Sequence, residues 1–281
     1  MTDKFTCVSF GYFDGMHLGH GAIVDEVLRV AGEKQYASVI VTLYDDIKSV
    51  HTTEREKEYY LAKKNIDFIV SKKCTADFDV KELLQSLNAK AVVVGENFLY
   101  RGIDVHALTD IAKNIGVETL VCPTVAYQNI PISGLMLDEA LSAGDYERYD
   151  AVCGHPYTFV GIIKRGKGLG RTVGMPTANL DFLPCKKIPA DGVYATISRF
   201  GNDRFMGLTN VGKRPSVDDE DTVTVETHIL DFSKDVYGEE SVVEVRFFIR
   251  DVVKFNNLQE VQKQVQKDIE KSKEKLHALF M

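Results

Sequence analysis

Apolar and polar positions follow two different patterns along this chain. In the first half, short apolar runs recur at residues 5–10 (FTCVSF), 36–43 (YASVIVTL), 66–70 (IDFIV), 89–94 (AKAVVV) and 117–121 (VETLV). Helical patterns lie between them, at about His17–Ala31, Thr53–Lys64, Val80–Leu87 and Val105–Asn114. Apolar strands alternating with helices predict an α/β domain with a doubly wound parallel sheet. Such sheets take ligands beyond the carboxyl ends of their strands. From Thr158 the pattern changes to short strands at 158–163, 192–198, 205–211, 223–230 and 242–249, separated by turn clusters such as Phe200-Gly201-Asn202-Asp203. Several strands without intervening helices predict a small antiparallel β-barrel. The last stretch, 258–279, sets Leu258, Val261, Val265, Ile269 and Leu276 on one stripe, which predicts a C-terminal helix packed on the barrel.

The two patterns meet near Gly144–Asp150, and Gly154-His155-Pro156-Tyr157 breaks any helix after it. The expected domains are 1–150 and 151–281. No Pro/Ser-rich linker, internal repeat or low-complexity segment separates them.

Composition is that of an ordinary globular protein, with 44% hydrophobic and 27% charged residues among 281. No apolar run approaches the ~20 residues that span a bilayer, and no signal peptide is visible at the start. The five cysteines are scattered without a CxxC pair, which suggests neither a disulfide framework nor a zinc site and points to a reducing cytoplasm. Residues 151–281 hold 19 Lys and Arg against 18 Asp and Glu, leaving 15 against 23 before them. An acidic first half argues against nucleic-acid binding there. The lysines of the last helix are interleaved with glutamates and read as a solvated face.

Candidate chemistry concentrates in two loops. Residues 161–180, GIIKRGKGLGRTVGMPTANL, place Gly166, Gly168 and Gly170 among Lys164, Arg165, Lys167 and Arg171. Glycines free backbone N–H groups to turn inward, and cations beside them complete a phosphate cradle. Thr177 and Asn179, two residues apart, are hard oxygen donors of the kind Mg²⁺ accepts. The competing reading is a basic surface loop followed by a proline turn. The second loop, GYFDGMHLGH at 11–20, follows the first strand, where the sheet rule places a ligand. Gly11, Phe13, Asp14, Gly15 and Gly19 shape it, and His17 and His20 share one face of the first helical turn. Two imidazoles at a helix N-terminus can donate hydrogen bonds to phosphate. Glu226 lies among strong β-formers, an unusual place for a carboxylate, and on residues alone pairing to an arginine explains it. The run Asp218-Asp219-Glu220-Asp221 reads as a solvated loop.

GYFDGMHLGH resembles the HxGH signature of nucleotidylyltransferases in the form found in bacterial FAD synthetases. Residues 161–180 resemble the riboflavin kinase signature ending in PTAN, and VETHILDF at 225–232 resembles that family's ExHILDF segment. Thr209–Ser216 and DVYGEE at 235–240 fit it as well. In this order the motifs are similar to the bifunctional riboflavin kinase/FMN adenylyltransferase family over almost the whole chain. The resemblance implies small-molecule substrates, riboflavin and ATP with Mg²⁺, FMN as product, and no nucleic acid or membrane partner. It implies Glu226 as catalytic base, ATP phosphates along Gly166–Arg171, and Mg²⁺ on Thr177 and Asn179. His228 is expected to be structural.

The first half departs from the family's pattern. The TF[DE]PHP segment is replaced by Thr42-Leu43-Tyr44-Asp45-Asp46-Ile47, and FxFGxxRxGD is shortened to Phe98–Asp104. The ISSTxIR motif reads Ile132-Ser133-Gly134-Leu135-Met136-Leu137-Asp138, keeping Ser133 but replacing the basic position by Asp138. One charge pair near a triphosphate is worth on the order of 4 kcal/mol at an effective dielectric near 20. The expectation is therefore a riboflavin kinase whose first domain either still adenylylates FMN to FAD or serves as a non-catalytic binding or assembly module.

Overall fold

The computed structural model describes residues 4–45, 49–166, 175–214, 222–255 and 257–280. They form two compact units, Met1–Leu137 with Val152–Gly154, and Asp138–Ala151 with His155–Met281.

The first unit is the expected doubly wound sheet. Its parallel strands are β1 (Thr6–Gly11), β2 (Ala37–Tyr44), β3 (Phe68–Lys73), β4 (Ala89–Gly95) and, after two short hairpin strands β5 (Leu99–Tyr100) and β6 (Ile103–Asp104), β7 (Glu118–Cys122). Their order is β3-β2-β1-β4-β7. Helices α1 (Leu18–Lys34), α2 (Glu54–Ala62), α3 (Val80–Ser86) and α4 (Val105–Asn114) connect them. The central strands are apolar on both sides because both faces are covered. Val8, Phe10, Val39, Val41 and Val92 pack with Leu83, Leu84 and Leu108 on one face. Cys7, Ile40, Ala91 and Val93 pack with Val24, Val27 and Leu61 on the other. Strand order reverses between β1 and β4, and the open crevice lies there. A further hairpin, β8 (Ala126–Tyr127) and β9 (Ile130–Pro131), precedes α5 (Gly134–Ser142) and α6 (Tyr146–Cys153).

The second unit is a closed barrel of β10 (Tyr157–Lys164), β11 (Ala178–Asp181), β12 (Gly192–Phe200), β13 (Asp203–Arg214), β14 (Thr222–Ile229) and β15 (Glu240–Arg250), in the order β10-β11-β14-β13-β12-β15. All neighbours are antiparallel. Helix α7 (Leu258–Leu276) lays Val265, Ile269 and Leu276 on Val193, Ala195, Ile197 and Leu208. Its packed face departs from the expected stripe. Leu258 is exposed, while Asp268 and Ser272 are buried. Arg250 permits this by holding Asp268 with Nε and Nη2, each at 2.9 Å. In the same unit Tyr149 packs edge-on against Tyr157, Tyr146 against Tyr194, and Arg246 Nη1 meets Asp150 at 2.9 Å.

Among the described residues no helix is long and apolar enough to cross a membrane. All five cysteines are free thiols.

Candidate functional site

In the barrel the PTAN turn and β14 build one cluster. Asn179 and Glu226 are directly opposed across the β11–β14 ladder, so their side chains share a face. Val225, Thr227 and Ile229 turn the other way and are buried, which leaves Glu226 half-buried on the outer face. The Thr177 hydroxyl lies 3.5 Å from Glu226 Oε2. His228 holds the turn in place, its Nδ1 standing 2.9 Å from the Pro176 carbonyl oxygen. Gly166 is required by close approach: a β-carbon there would stand 2.3 Å from Asn179 Nδ2 and 2.9 Å from its Oδ1. The absent side chain is the space that the Asn179 carboxamide fills.

Thr177, Asn179 and Glu226 thus bring a hydroxyl, an amide and a carboxylate together, a donor set that suits a small hard cation. Beside Thr177 a cavity of about 400 Å³ opens between Ile163, Thr227, Phe232 and Tyr237. Of the basic residues in the preceding loop, Lys164 pairs with Asp181 at 2.7 Å, and Arg165 lies over the Tyr237 ring at 4.9 Å. Lys167, Gly168, Gly170 and Arg171 lie outside the described residues, as do Ser216 and the acidic run 218–221.

The second cluster sits at the β1/β4 crevice of the first unit. A cavity of about 310 Å³ is lined by Gly11, Phe13, His17, Gly19 and His20 from the β1–α1 loop, and by Glu96, Phe98, Tyr100 and Thr124 beyond β4 and β7. His17 and His20 stack with ring centroids 3.7 Å apart. His17 Nδ1 caps α1 by accepting the His20 backbone N–H at 3.3 Å, which places the His17 proton on Nε2. Gly19 is needed for this arrangement, because a β-carbon there would press within 3.1 Å of the His17 ring. Burial above all, then His17, then the charge of Lys57, holds His20 well below the usual histidine range.

Asp14 and Gly15 do not line the cavity. Asp14 Oδ1 accepts the Thr52 N–H, and the Gly15 N–H donates to Thr52 Oγ1, both at 2.9 Å. Ser133 is exposed at the start of α5, also away from the cavity wall, to which its neighbour Ile132 contributes. Asp138 is ion-paired to Lys187. The aromatic wall of Phe98 and Tyr100 belongs to the loop 98–104 that the sequence marked as a shortened family motif, whereas Glu96 and the Thr124 hydroxyl that donates to it were not singled out from sequence. Their position just after the carboxyl ends of β4 and β7 was the available signal.

Residues 1–135 match the FAD synthetase family model, and 153–276 match the riboflavin kinase model. The bifunctional riboflavin kinase/FMN adenylyltransferase of Escherichia coli strain K12 is 30% identical over 93% of this chain and 90% of its own. The chain belongs to this family. The Listeria monocytogenes member is 29% identical over 95% of this chain and 91% of its own. A solved Streptococcus pneumoniae structure, described as a macrolide-efflux protein, shares the fold with a TM-score of 0.81 at 24% identity, over 97% of this chain and 95% of its own.

Proposed function

We propose that the second unit phosphorylates riboflavin to FMN with ATP. The observation that carries this reading is the convergence of Thr177, Asn179 and Glu226, with Gly166 leaving room for the Asn179 carboxamide. Glu226 takes the proton of the ribityl 5′-hydroxyl as that oxygen attacks the γ-phosphorus. A bond forms from the ribityl oxygen to phosphorus, the bridging phosphorus–oxygen bond breaks, and ADP leaves. Thr177 and Asn179 would hold Mg²⁺, which neutralises phosphate charge when bound. Phosphoryl transfer asks the protein chiefly for positioning and charge neutralisation. The cavity beside Thr177 receives the nucleotide, and the cysteine pattern supports a reducing cytoplasm as the place of work.

For the first unit we propose adenylyl transfer to FMN. The stacked histidines lining the β1/β4 cavity favour it over the non-catalytic reading. A phosphate oxygen of FMN attacks the α-phosphorus of ATP and pyrophosphate departs, with His17 and His20 donating hydrogen bonds as negative charge grows.

One incubation tests both proposals: the full chain with riboflavin, ATP and Mg²⁺, with FMN and FAD resolved by chromatography. Both products are expected. Absence of FMN overturns the kinase reading; FMN without FAD overturns adenylyl transfer. Glu226→Gln is expected to lower FMN formation by about 10²-fold or more while riboflavin still binds, and near-normal turnover would show that another group is the base.

A further inference from the structure

Three threonine hydroxyls run in a line through the barrel. Thr196 Oγ1 on β12 lies 2.7 Å from Thr209 Oγ1 on β13, which lies 2.8 Å from Thr227 Oγ1 on β14. The three residues are 0%, 0% and 2% exposed, so bulk water does not compete for these contacts. A hydroxyl has one proton to give and two lone pairs. Thr209, in the middle, can therefore donate to one neighbour and accept from the other. The positions beside it on the same faces of β13 and β14 are apolar or bare. Val211, Val225 and Ile229 are buried, and Gly207 has no side chain. A β-carbon on Gly207 would stand 2.9 Å from Thr227 Cγ2 and 2.8 Å from Thr196 Oγ1. The Thr227 methyl group thus fills the space over Gly207, and its hydroxyl is left facing Thr209.

This line of hydroxyls ends beneath the kinase cluster. Thr227 follows Glu226 in the chain, and it is opposed to Thr209 on β13 and to Ala178 on β11. Ala178 lies between Thr177 and Asn179, and Asn179 is opposed to Glu226. Backbone pairing alone would not fix this alignment. Sliding β14 along β13 by two residues keeps every side chain on its own face and can re-form the ladder. It would also carry Glu226 about 7 Å from its place. Val225 and Ile229 are apolar and would be buried in either alignment. The threonines would not match. Thr227 would face Val211 or Gly207, and Thr209 would face Ile229 or Val225, leaving two buried hydroxyls without each other.

We propose that Thr209 is a positioning residue of phosphoryl transfer: through Thr227 it locks β14 in the register that sets Glu226 across from Asn179 and within reach of Thr177. Thr209 acts through the strand, since its own side chain is sealed in the barrel. Thr227 belongs to the wall of the cavity beside Thr177, whereas Thr209 does not, so Thr209 is the cleaner position to change. The demand for such a lock comes from the chemistry, because a base displaced by an ångström loses much of its effect. The inference rests on reading the barrel as a riboflavin kinase.

The test compares full-length wild type with Thr209→Val, which keeps the shape and removes the hydroxyl, and Thr209→Ser, which returns it. Ile197→Val, a buried change on the barrel face under α7, is the stability control. Steady-state FMN formation and denaturation midpoints are measured for each. In Thr209→Val, kcat is expected to fall by about tenfold or more, with KM for riboflavin and ATP within about twofold of wild type. FAD formation from supplied FMN stays unchanged. Thr209→Ser recovers most of kcat, and Ile197→Val lowers the midpoint while keeping kcat. Should Thr209→Val fail to fold, Thr227→Val at saturating ATP removes the same contact and carries the same expectation. Wild-type kcat in the valine variant overturns the inference. So does a loss that serine does not restore, or one that Ile197→Val shares. A wild type that makes no FMN overturns the kinase reading, and the inference with it; an active wild type with an equally active Thr209→Val overturns the inference alone.

Discussion

The carboxylate of Asp138 is ion-paired with the ammonium of Lys187. The motif position that is basic in the family therefore carries an acid engaged with a barrel lysine, and it does not line the histidine cavity. Asp138→Ala is expected to leave FAD formation within about twofold of wild type. Because both side chains are partly exposed, the stability lost is small, on the order of 0.5 kcal/mol. Chemical denaturation and the product assay measure the two effects; a large loss of FAD synthesis would show that Asp138 acts in the transfer site.

Gly166→Ala places a methyl group where the Asn179 carboxamide sits. Riboflavin phosphorylation is expected to fall by up to about 10²-fold, the cost of an ångström-scale misplacement. The Mg²⁺ concentration for half-maximal rate should rise as well, with FAD formation from supplied FMN unchanged. Unaltered Mg²⁺ dependence would separate Asn179 from the metal.

Asp150 contributes a pH dependence to the second unit. Burial pushes its carboxyl up to about 6, against the opposing pull of Arg246. A carboxyl raised above its unfolded value of 3.8 favours the folded state fully below that value, and the benefit is lost as pH rises through about 6. Asp150→Asn keeps the shape and removes the titration. Its stability relative to wild type is expected to improve between pH 4 and pH 7, by on the order of 1 kcal/mol after solvent screening. Denaturant midpoints at the two pH values measure it, and parallel pH profiles would show that Asp150 does not titrate in this range.

Breaking the buried Arg250–Asp268 pair is a harsher change. Asp268→Ala leaves the Arg250 guanidinium without the carboxylate that its Nε and Nη2 both meet. A loss of about 3 kcal/mol is expected from the uncompensated buried charge, read as a lowered denaturation midpoint of the barrel. A change below about 1 kcal/mol would place the pair among weak surface bridges.

Much of this architecture was legible in the sequence because period and burial agree. The five parallel strands each fall within about three residues of their apolar runs, most closely for the central β1, β2 and β4, because strands covered on both faces are apolar throughout. Strand β11 was not legible. It is four residues long and follows Pro176, so it reads as the end of a turn. Helix α6 was hidden because Gly144 and Asp145 read as a terminus, whereas Asp145 in fact caps it by accepting the Arg148 N–H at 3.0 Å. On α7 the apolar stripe overstated Leu258 and missed Asp268, because only tertiary structure shows which arginine covers a carboxylate.

The sites divide in the same way. Glu226, Thr177, Asn179, His17 and His20 were visible as chemistry in short motifs. Asn179 facing Glu226 across a ladder was not, because nothing local sets the register of strands 47 residues apart. The part played by Thr209 was hidden for a related reason. In sequence it opens a short family segment, and only the barrel lines its hydroxyl up with Thr196 and Thr227.

The barrel closes by pairing β10 with β15, Tyr157 opposite Val245. This fixes the order in which a nascent chain can acquire its two sites. The parallel sheet holding His17 and His20 is complete once Cys122 has been synthesised, so its crevice can take shape during translation. The barrel must wait for its last strand, and Asp150 waits with it, because its arginine arrives 96 residues later. A ribosome halted before Glu240 would carry the parallel sheet intact and the parts of the kinase site without the cylinder that brings them together.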